Sequence, residues 1–474
     1  MYKSHASMLL YLGSFVGSTV LGFVSDRFGR KVCFLLSVIL FLASGLALPW
    51  SNNFVTLGVL EFVVGAASTG MFASAFVMCL ELVQPKDRKV PGLVIQVFFT
   101  TGEILLAVSF YGLRDWRWAG LVITAPATFF LFYVWLVPES LRWLMLKKKY
   151  DKASKILIRI AKINGVTPPR GNDQEDILAE LLQSHDDSVE RTASVSHKNK
   201  DSFFDLFKSR VLCQRACAIF FNWFVVNMVF YVFVLNMEHL KAGSLYVNFI
   251  IGAVVEYPAH LFSLLLVDRV GRKPVHLFLL FVAGTASGAA VGVSMKVGED
   301  HQWVVSMLSM IGKFGAAGLM GTSFLWLTEL FPTSIRSSGL GVSSSFARGG
   351  AMLAPYIVLW GSMITEHNMG GALPFIVVCA ASVLAFLFNL SLPETNQEEL
   401  PATIADAKVF GKKSESLYIA DSRHTGLNYE SIGVSDEDSE VLVFPPKGVL
   451  KGRTRQGSRS SGGVSLSADH PPIF

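Results

Sequence analysis

Apolar runs of about 20 residues recur along this chain and constrain its fold more than any other feature. A helix of that length crosses roughly 30 Å of hydrocarbon. The runs lack the alternation of polar and apolar residues found in membrane barrels, so they predict helices that satisfy their own backbone hydrogen bonds in lipid. We count about eleven such runs. They lie near Met8–Val24, Val32–Trp50, Phe54–Leu80, Gly92–Gly112, Trp118–Val137, Val211–Leu235, Leu245–Val267, Val275–Val293, Val304–Leu327, Leu340–Ile364 and Leu373–Leu392.

The composition agrees with a membrane protein. The 474 residues include 37 Phe and only 16% charged residues, whereas a soluble protein carries about a quarter. The mean hydropathy is +0.46. The five cysteines lie in or beside apolar runs without a CxxC spacing, so we expect neither a disulfide framework nor a metal site. The net charge of +5 fits a cytoplasmic excess of Lys and Arg, and we expect no nucleic acid partner.

Lysine and arginine are distributed unequally between alternate loops, which predicts the orientation. One set of loops holds DRFGRK, QPKDRK, the long Glu139–Arg210 segment, DRVGRKP and FPTSIR. The other set holds SNN, RDWR, MEHLKAG, KVGEDHQ and TEHNMG. The first set is far richer in Lys and Arg, so the positive-inside rule places it in the cytoplasm. The N-terminus is then outside and the C-terminus inside.

Three motifs recur in the same order in the two halves of the chain. DRFGRK at 26–31 returns as DRVGRK at 268–273, an offset of 268 − 26 = 242. Glu-x6-Arg from Glu81 returns from Glu329, an offset of 329 − 81 = 248. Pro-Glu-Ser at 138–140 returns as Pro-Glu-Thr at 393–395, an offset of 393 − 138 = 255. Such a repeat indicates two lobes related by duplication.

The repeat also predicts the domain organisation. The counterpart of the run from Val211 would lie near position 211 − 242, before Met1, so we expect a first lobe that lacks its first helix. The predicted parts are an N-terminal lobe at 1–138, a cytoplasmic linker with amphipathic helices at 139–210, a six-helix C-terminal lobe at 211–395 and a disordered cytoplasmic tail at 396–474.

Charged residues at the ends of the runs are candidates for a gate. The repeated loop joins two helices at equivalent positions, and its glycine allows a tight reversal. We expect Arg88, Arg336 and Arg142 to reach Glu81 and Glu329, so that ion pairs between the halves close the gate in one state. For a single copy, an ordinary positive-inside turn is the alternative. The predicted gating residues are Asp26, Arg27, Arg30, Glu81, Arg88, Glu139, Arg142, Asp268, Arg269, Arg272, Glu329 and Arg336.

These motifs resemble those of the major facilitator superfamily. The matching stretches are GFVSDRFGRK, the second DRVGRK, ELVQPKDR, PESLRWL, TELFPTSIR and LPET. DWRW, FNWF, EYPA and SSFARGGAMLAP are further similar to solute carrier family 22, the organic cation, anion and carnitine transporters. The resemblance implies an all-α membrane protein with two pseudo-symmetric lobes and about 11 of the usual 12 transmembrane helices. Sugar porters have a QQxxGxN-type stretch where this chain has FFNW at 220–223, which disfavours a sugar substrate.

The resemblance also implies a central cavity between the lobes, and Arg348 is our leading candidate to line it. It lies within an apolar run beside Ser344, Gly349 and Gly350. An unpaired arginine inside a membrane costs about 2.5–3.5 kcal/mol on insertion scales, so this one should face water, a counter-ion or a substrate. Snorkelling to the cytoplasmic edge, or pairing with a structural Glu, is the alternative. The other predicted substrate-binding residues are Glu103, Glu256, His260, Phe221, Trp223 and Tyr231.

Several of these residues have a second interpretation. Glu103 is expected either to neutralise Arg348 or to bind a substrate amine. Glu256 and His260 lie four residues apart on one helix face, so they could pair with each other instead of contacting substrate. Lys313 could be a gate or packing charge. The aromatic residues offer rings to cationic substrates, although aromatics in membrane helices more often face lipid, the interface or the core.

Mixed charges near the predicted midplane favour zwitterionic solutes, then organic anions, then simple organic cations. We therefore predict a transporter of small organic ions, such as carnitine-like zwitterions, working by alternating access in the plasma membrane. No Walker A, HExxH or GxSxG sequence is present, so we expect no direct use of ATP, no enzymatic activity and no cofactor. Facilitated diffusion, exchange and coupling to Na⁺ or H⁺ stay open. An inactive truncated isoform or a non-transporting membrane sensor is the alternative.

Overall fold

The computed structural model describes residues 2–83, 89–165, 203–239, 244–296, 302–332, 335–364 and 371–396, together with 398, 401 and 404–410. The chain divides into two compact units, Met1–Leu417 and Tyr418–Phe474, and every described residue lies in the first. Within the described residues, all regular secondary structure is helical. The predicted all-α class is therefore confirmed.

The first lobe contains the helices of the N-terminal apolar runs. Polar side chains cap two of them, because Asn53 accepts from the Thr56 N–H at 2.7 Å and Asp115 accepts from the Arg117 N–H at 2.9 Å. The helices are α1 Tyr2–Phe28, α2 Arg30–Ala47, α3 Phe54–Leu82, α4 Lys89–Leu113, α5 Trp116–Thr124 and α6 Tyr133–Leu136, with 3₁₀ turns at Leu48–Trp50 and Ala125–Phe132.

A linker and a second lobe follow. The described part of the linker holds α7 Leu141–Leu146 and the amphipathic α8 Tyr150–Ile163, and it ends in a 3₁₀ turn at Phe203–Lys208. The second lobe consists of α9 Arg210–Asn236, α10 Leu245–Val254, α11 Glu256–Leu266, α12 Arg272–Lys296, α13 Gln302–Glu329, α14 Arg336–Met363 and α15 Leu373–Leu390, with a 3₁₀ turn at Met237–His239.

Two predicted spans are interrupted rather than continuous. The run near Trp118–Val137 changes from α-helix to 3₁₀-helix at Ala125, next to Pro126. The run near Leu245–Val267 breaks at Val255, three residues before Pro258. Proline has no N–H to donate to the carbonyl one turn earlier, so the α-helical ladder is interrupted at both places.

Ten helical segments in the described part are long and apolar enough to cross a membrane. The predicted run Leu340–Ile364, which forms α14, is not among them because this helix contains Arg336, Arg348 and several serines. Its 28 residues still reach about 42 Å, and it packs against α1 and α9. Its polar residues are consistent with a position inside the protein rather than against lipid.

The predicted disordered tail from position 396 begins with ordered structure. A short helix, α16 at Ile404–Val409, packs against α9. Arg215 of α9 donates from Nη1 to the Ala407 carbonyl at 2.9 Å and from Nη2 to the Phe410 carbonyl at 2.8 Å. An arginine at these positions satisfies carbonyls that a helix end leaves free. The predicted tail beyond 410 lies outside the described residues.

Candidate functional site

The loop between α1 and α2 is held by one carboxylate. Gly29 has a φ of 116°, which favours glycine, and it turns the chain so that α2 points its N-terminus at Glu139. Glu139 Oε1 accepts hydrogen bonds from the backbone N–H groups of Arg30 at 2.9 Å, Lys31 at 3.1 Å and Ser140 at 3.0 Å. The carboxylate thus satisfies N–H groups at a helix N-terminus.

Arg30 connects this loop to two further acids. Its Nη1 lies 3.1 Å from Asp26 Oδ1, and its Nε lies 3.8 Å from Glu81 Oε2 at the end of α3. Ser140 also donates its hydroxyl to Glu81. We call Asp26, Arg30, Glu81 and Glu139 the first-lobe cluster.

The second lobe repeats this arrangement residue for residue. Gly271 has a φ of 115°, and Glu394 accepts from the N–H groups of Arg272 at 3.0 Å and Lys273 at 2.9 Å. Arg272 lies 3.5 Å from Asp268 and 3.4 Å from Glu329, to which Thr395 donates at 2.5 Å. We call Asp268, Arg272, Glu329 and Glu394 the second-lobe cluster.

These contacts differ from the pairing that we expected for the gate. Within the described residues, Glu81 forms an ion pair with Arg30 and Glu329 forms one with Arg272, so each pair lies inside one lobe and not across the lobes. Arg142 is exposed on α7, and Arg336 donates from Nε to the Phe331 carbonyl at 3.2 Å. Arg27 and Arg269 are exposed at the loops. Arg88 lies outside the described residues.

A second group of charges lies between the lobes, deep in the bundle. Lys313 of α13 is fully buried; its Nζ lies 2.9 Å from Glu256 Oε1 and 3.4 Å from Glu103 Oε2. Glu256 belongs to α11 of the second lobe, whereas Glu103 belongs to α4 of the first. Glu103 therefore neutralises Lys313 and not Arg348, the partner that we had considered from the sequence.

The helix break before Pro258 places Glu256 and His260 beside α4. The hydroxyl of Thr100, a buried residue of α4, donates to Glu256 Oε2 at 2.8 Å and lies 3.3 Å from His260 Nε2. At the next residue of each helix, the hydroxyls of Thr101 and Tyr257 are 2.8 Å apart. The expected Glu256–His260 pairing is thus made through a threonine of the opposite lobe.

Tyr231 of α9 interacts electrostatically with Glu103, Glu256 and Arg348. Its ring centroid lies 4.8 Å from that of Tyr11 of α1, with the two rings tilted by 58°. The described hydrogen bonds of the Arg348 guanidinium go to Ser344, to its hydroxyl at 2.6 Å and its carbonyl at 3.3 Å. The central cluster comprises Glu103, Tyr231, Glu256, His260, Lys313 and Arg348.

The other two predicted aromatic residues are placed differently. Trp223 is 2% exposed and packs edge-on against Phe324 at 4.7 Å. Phe221 packs against Phe388 of α15 at 5.2 Å, and Phe388 is half exposed on the outer surface of the lobe. Both therefore pack within the second lobe, outside the central cluster.

The lobes also meet at the helix ends opposite the two loop clusters. His5 Nδ1, near the start of α1, lies 2.8 Å from the Tyr356 hydroxyl near the end of α14. The same hydroxyl lies 3.0 Å from the sulfur of Met8. These contacts join α1 of the first lobe to α14 of the second.

Sequence reasoning undervalued Lys313 and missed Thr100. A signal for Lys313 was present, since it is the single charge inside a 27-residue stretch of α13 that is otherwise small, polar or apolar. A lysine there needs an acidic partner. A threonine in an apolar run carries no such signal, so its role became visible only through its contacts. No cluster of metal-binding residues is found in the described part.

Comparison with known proteins places these features in a family. The model of the family described as "Sugar (and other) transporter" matches residues 2–403. The "Organic cation transporter protein" of Drosophila melanogaster is 35% identical over 405 residues, covering 85% of this chain and 71% of the relative. "Solute carrier family 22 member 1" of Oryctolagus cuniculus is 31% identical over 404 residues, covering 85% and 69%.

Solved structures show the same fold. XylE, described as a major facilitator superfamily proton:xylose symporter, matches with a TM-score of 0.63 at 19% identity over 86% of this chain and 89% of that chain. The partially occluded inward-open form of XylE from E. coli also gives a TM-score of 0.63, over 83% and 88%.

Proposed function

Because the chain belongs to the sugar (and other) transporter family and, within the major facilitator superfamily, to solute carrier family 22, we propose that it carries small zwitterionic organic ions across the membrane. It is a multi-pass membrane transporter of organic solutes. The observation that carries the zwitterion proposal is the arrangement of charge in the central cluster, where two carboxylates share one lysine and the guanidinium of Arg348 makes its described hydrogen bonds to Ser344.

Each end of a zwitterion has a partner in this arrangement. Arg348 has no carboxylate among its described partners, so it is available to a substrate carboxylate. Glu103 and Glu256 share one lysine, which leaves negative charge for a substrate ammonium. The ring of Tyr231 offers a face to a quaternary ammonium group.

In this proposal, the two loop clusters support the lobe movements of alternating access. The duplicated ionic contacts keep each pair of helices rigid, so that each lobe moves as a body about the central cluster. The predicted gating residues keep this role as a proposal. The excess of Lys and Arg in these loops supports a cytoplasmic position for the clusters and for the C-terminus, in a protein of the plasma membrane.

Uptake into proteoliposomes containing the purified full chain tests the substrate class. We expect saturable uptake of labelled carnitine. Choline, which keeps the ammonium, and 3-hydroxybutyrate, which keeps the carboxylate, should each compete about tenfold more weakly, since losing one charged contact costs about 1.4 kcal/mol or more. Arg348→Gln should remove the preference for carnitine over choline. Arg117→Gln is the control, because Arg117 packs over the Trp116 ring at 5.4 Å, at the start of α5.

Organic cation transport is the second candidate, because the Drosophila melanogaster relative carries that description. Preference for choline, unchanged by Arg348→Gln, would establish it in place of the zwitterion proposal. If every panel member fails to show saturable uptake, the non-transporting alternative gains the support instead.

A further inference from the structure

In the central cluster, two buried carboxylates share one ammonium. One ammonium, that of Lys313, lies between two carboxylates at 2.9 and 3.4 Å. The side chains of Lys313 and Glu256 are 0% and 1% exposed, and that of Glu103 is 11% exposed. The guanidinium of Arg348, in the same cluster, makes its described hydrogen bonds to Ser344. A buried carboxylate is costly without a close partner, so the second carboxylate depends on the shared ammonium, on a proton or on a cation.

One buried polar atom at the same place has no hydrogen-bond partner among the described residues. It is His260 Nδ1, whose residue is 4% exposed. The hydroxyl hydrogen of Thr100 goes to Glu256 Oε2, so Thr100 accepts from His260 Nε2 and the ring proton is on that nitrogen. His260 Nδ1 is then an unpaired acceptor in the protein interior, a second sign that a donor or cation occupies this site in part of the cycle.

Among Glu103, Glu256 and Lys313, only Glu103 belongs to the first lobe. Its ion pair with Lys313 is therefore sensitive to movement of the lobes. Glu256 and Lys313 are both in the second lobe, so their contact persists when the lobes rotate as bodies. The contact from Lys313 to Glu103 spans the lobes and breaks when α4 moves away from α13. Separation of the lobes thus exposes the Glu103 carboxylate while Lys313 stays neutralised by Glu256.

The charged and titratable groups around Glu103 come from every helix packed near α4. Glu61 on α3 and Arg117 on α5 form no ion pair with Glu103 among the described contacts. The groups that face the site or adjoin it are Tyr11 on α1, Tyr231 on α9, Tyr246 on α10, Glu256, Tyr257 and His260 on α11, Lys313 on α13 and Arg348 on α14.

We propose that Glu103 is a proton-exchange site, so that the transporter moves an organic ammonium substrate in one direction and a proton in the other. This inference rests on the proposed function. When the site is open to one side, the protonated carboxyl of Glu103 releases its proton to that side and the carboxylate pairs with the substrate ammonium. After the lobes have moved, the substrate leaves to the other side and Glu103 takes up a proton there. One proton is exchanged for one substrate.

The test is substrate accumulation in proteoliposomes driven by a pH gradient, with the membrane potential clamped by potassium and valinomycin. Carnitine is the probe, because its quaternary ammonium group has no proton of its own. With the interior one pH unit more acidic, one-for-one exchange predicts about tenfold accumulation inside, since one unit corresponds to a factor of ten in the equilibrium. Without the gradient, the concentrations inside and outside should become equal.

Variants of the site should separate coupling from transport. Glu103→Gln should abolish the accumulation, because the amide cannot release a proton. Glu103→Asp, which keeps a carboxyl group, should retain accumulation. Glu61→Gln is the matched control, since it neutralises another glutamate within a span, and it should still accumulate about tenfold.

The outcomes distinguish this inference from the proposed function. Saturable carnitine uptake by the unaltered chain that ignores the gradient would overturn proton exchange alone. So would tenfold accumulation by a monodisperse Glu103→Gln protein. Absence of saturable uptake in every condition would remove the proposed function, and the exchange with it. If Glu103→Gln fails to fold, the gradient response of the unaltered chain and of Glu103→Asp still decides.

Discussion

The two lobes carry the same charged loops but differ near the middle of the membrane. Applying the offset of the loop motif, Glu256 of the second lobe corresponds to 256 − 242 = 14, which is Ser14. Applying that of the Glu-x6-Arg motif, Lys313 corresponds to 313 − 248 = 65, which is Gly65. Where the second lobe has an ion pair of 2.9 Å, the first has a hydrogen bond of 3.1 Å from the Ser14 hydroxyl to the Gly65 carbonyl.

The comparison shows which contacts are shared by the two lobes and which differ between them. The loop clusters hold adjacent helices together, a need that both lobes share. The two midplane positions are instead occupied by charged residues in the second lobe and by small residues in the first. Lys313 of the second lobe then has a further acidic partner, Glu103, which the first lobe supplies from α4.

Packing differs between the lobes in a related way. In the most apolar part of α9, 72% of the residues are buried, whereas the corresponding value for α4 is 11%. Helix α9 packs against α13, α14 and α15 of its own lobe, and no counterpart of it lies among the described residues of the first lobe. The burial of a helix is therefore decided by its neighbours rather than by its own apolar sequence.

The largest effect should come from removing the lysine of the charged pair. Lys313→Met leaves Glu103 and Glu256 buried without an ammonium, so we expect a loss of about 3–5 kcal/mol in stability, and loss of uptake. Thermal unfolding in detergent measures the first effect. The double variant Glu256→Gln, Lys313→Met should recover part of that stability, because one of the unpaired charges is gone. A single variant as stable as the unaltered chain would contradict the ion-pair assignment.

Gly65, the first-lobe position that corresponds to Lys313, should tolerate even a small substitution poorly. A Cβ added at Gly65 would lie 2.0 Å from the Leu10 carbonyl oxygen of α1. Gly65→Ala should therefore cost about 1–3 kcal/mol, since two backbones must separate. Gly112→Ala is the control, because nothing lies within 4 Å of its added Cβ. Equal melting temperatures for the two variants would exclude close contact of α1 and α3.

The carboxylates that hold the loops should be equivalent in the two lobes. Glu139→Gln and Glu394→Gln each weaken several charge-assisted hydrogen bonds from backbone N–H groups, so we expect about 1–2 kcal/mol of lost stability for each. The transport rate should fall in both. A difference well above 1 kcal/mol between the two melting experiments would show that the clusters are alike in geometry but not in energy.

The smallest effect should come from the arginines of the same clusters. Arg30→Lys and Arg272→Lys keep the charge but lose the branched guanidinium that reaches two acids, so we expect about 0.2–1 kcal/mol for each. The backbone N–H groups that bind Glu139 and Glu394 are unchanged. Thermal unfolding of the two variants side by side measures this loss of stability. A loss comparable to that of the glutamate variants would show that the arginines stabilise the clusters as much as the glutamates do.

Much of the fold could be predicted because the membrane imposes it locally. Runs of about 20 apolar residues predict helices without knowledge of their neighbours. The repeated motifs likewise indicated the paired loops, because a glycine turn and its acidic partner recur at fixed offsets. The helix breaks near Ala125 and Val255 were not predicted, although the prolines beside them were visible.

The sequence by itself determined which residues carry charge inside the membrane, since each such charge interrupts an apolar run and requires a partner. It did not determine the partners. Glu103 and Lys313 are 210 residues apart, and the pairing between them depends on how the two lobes face each other. Only the tertiary structure therefore decided that Glu103 neutralises Lys313 and that Arg348 has Ser344 beside it, because contact between distant helices depends on packing.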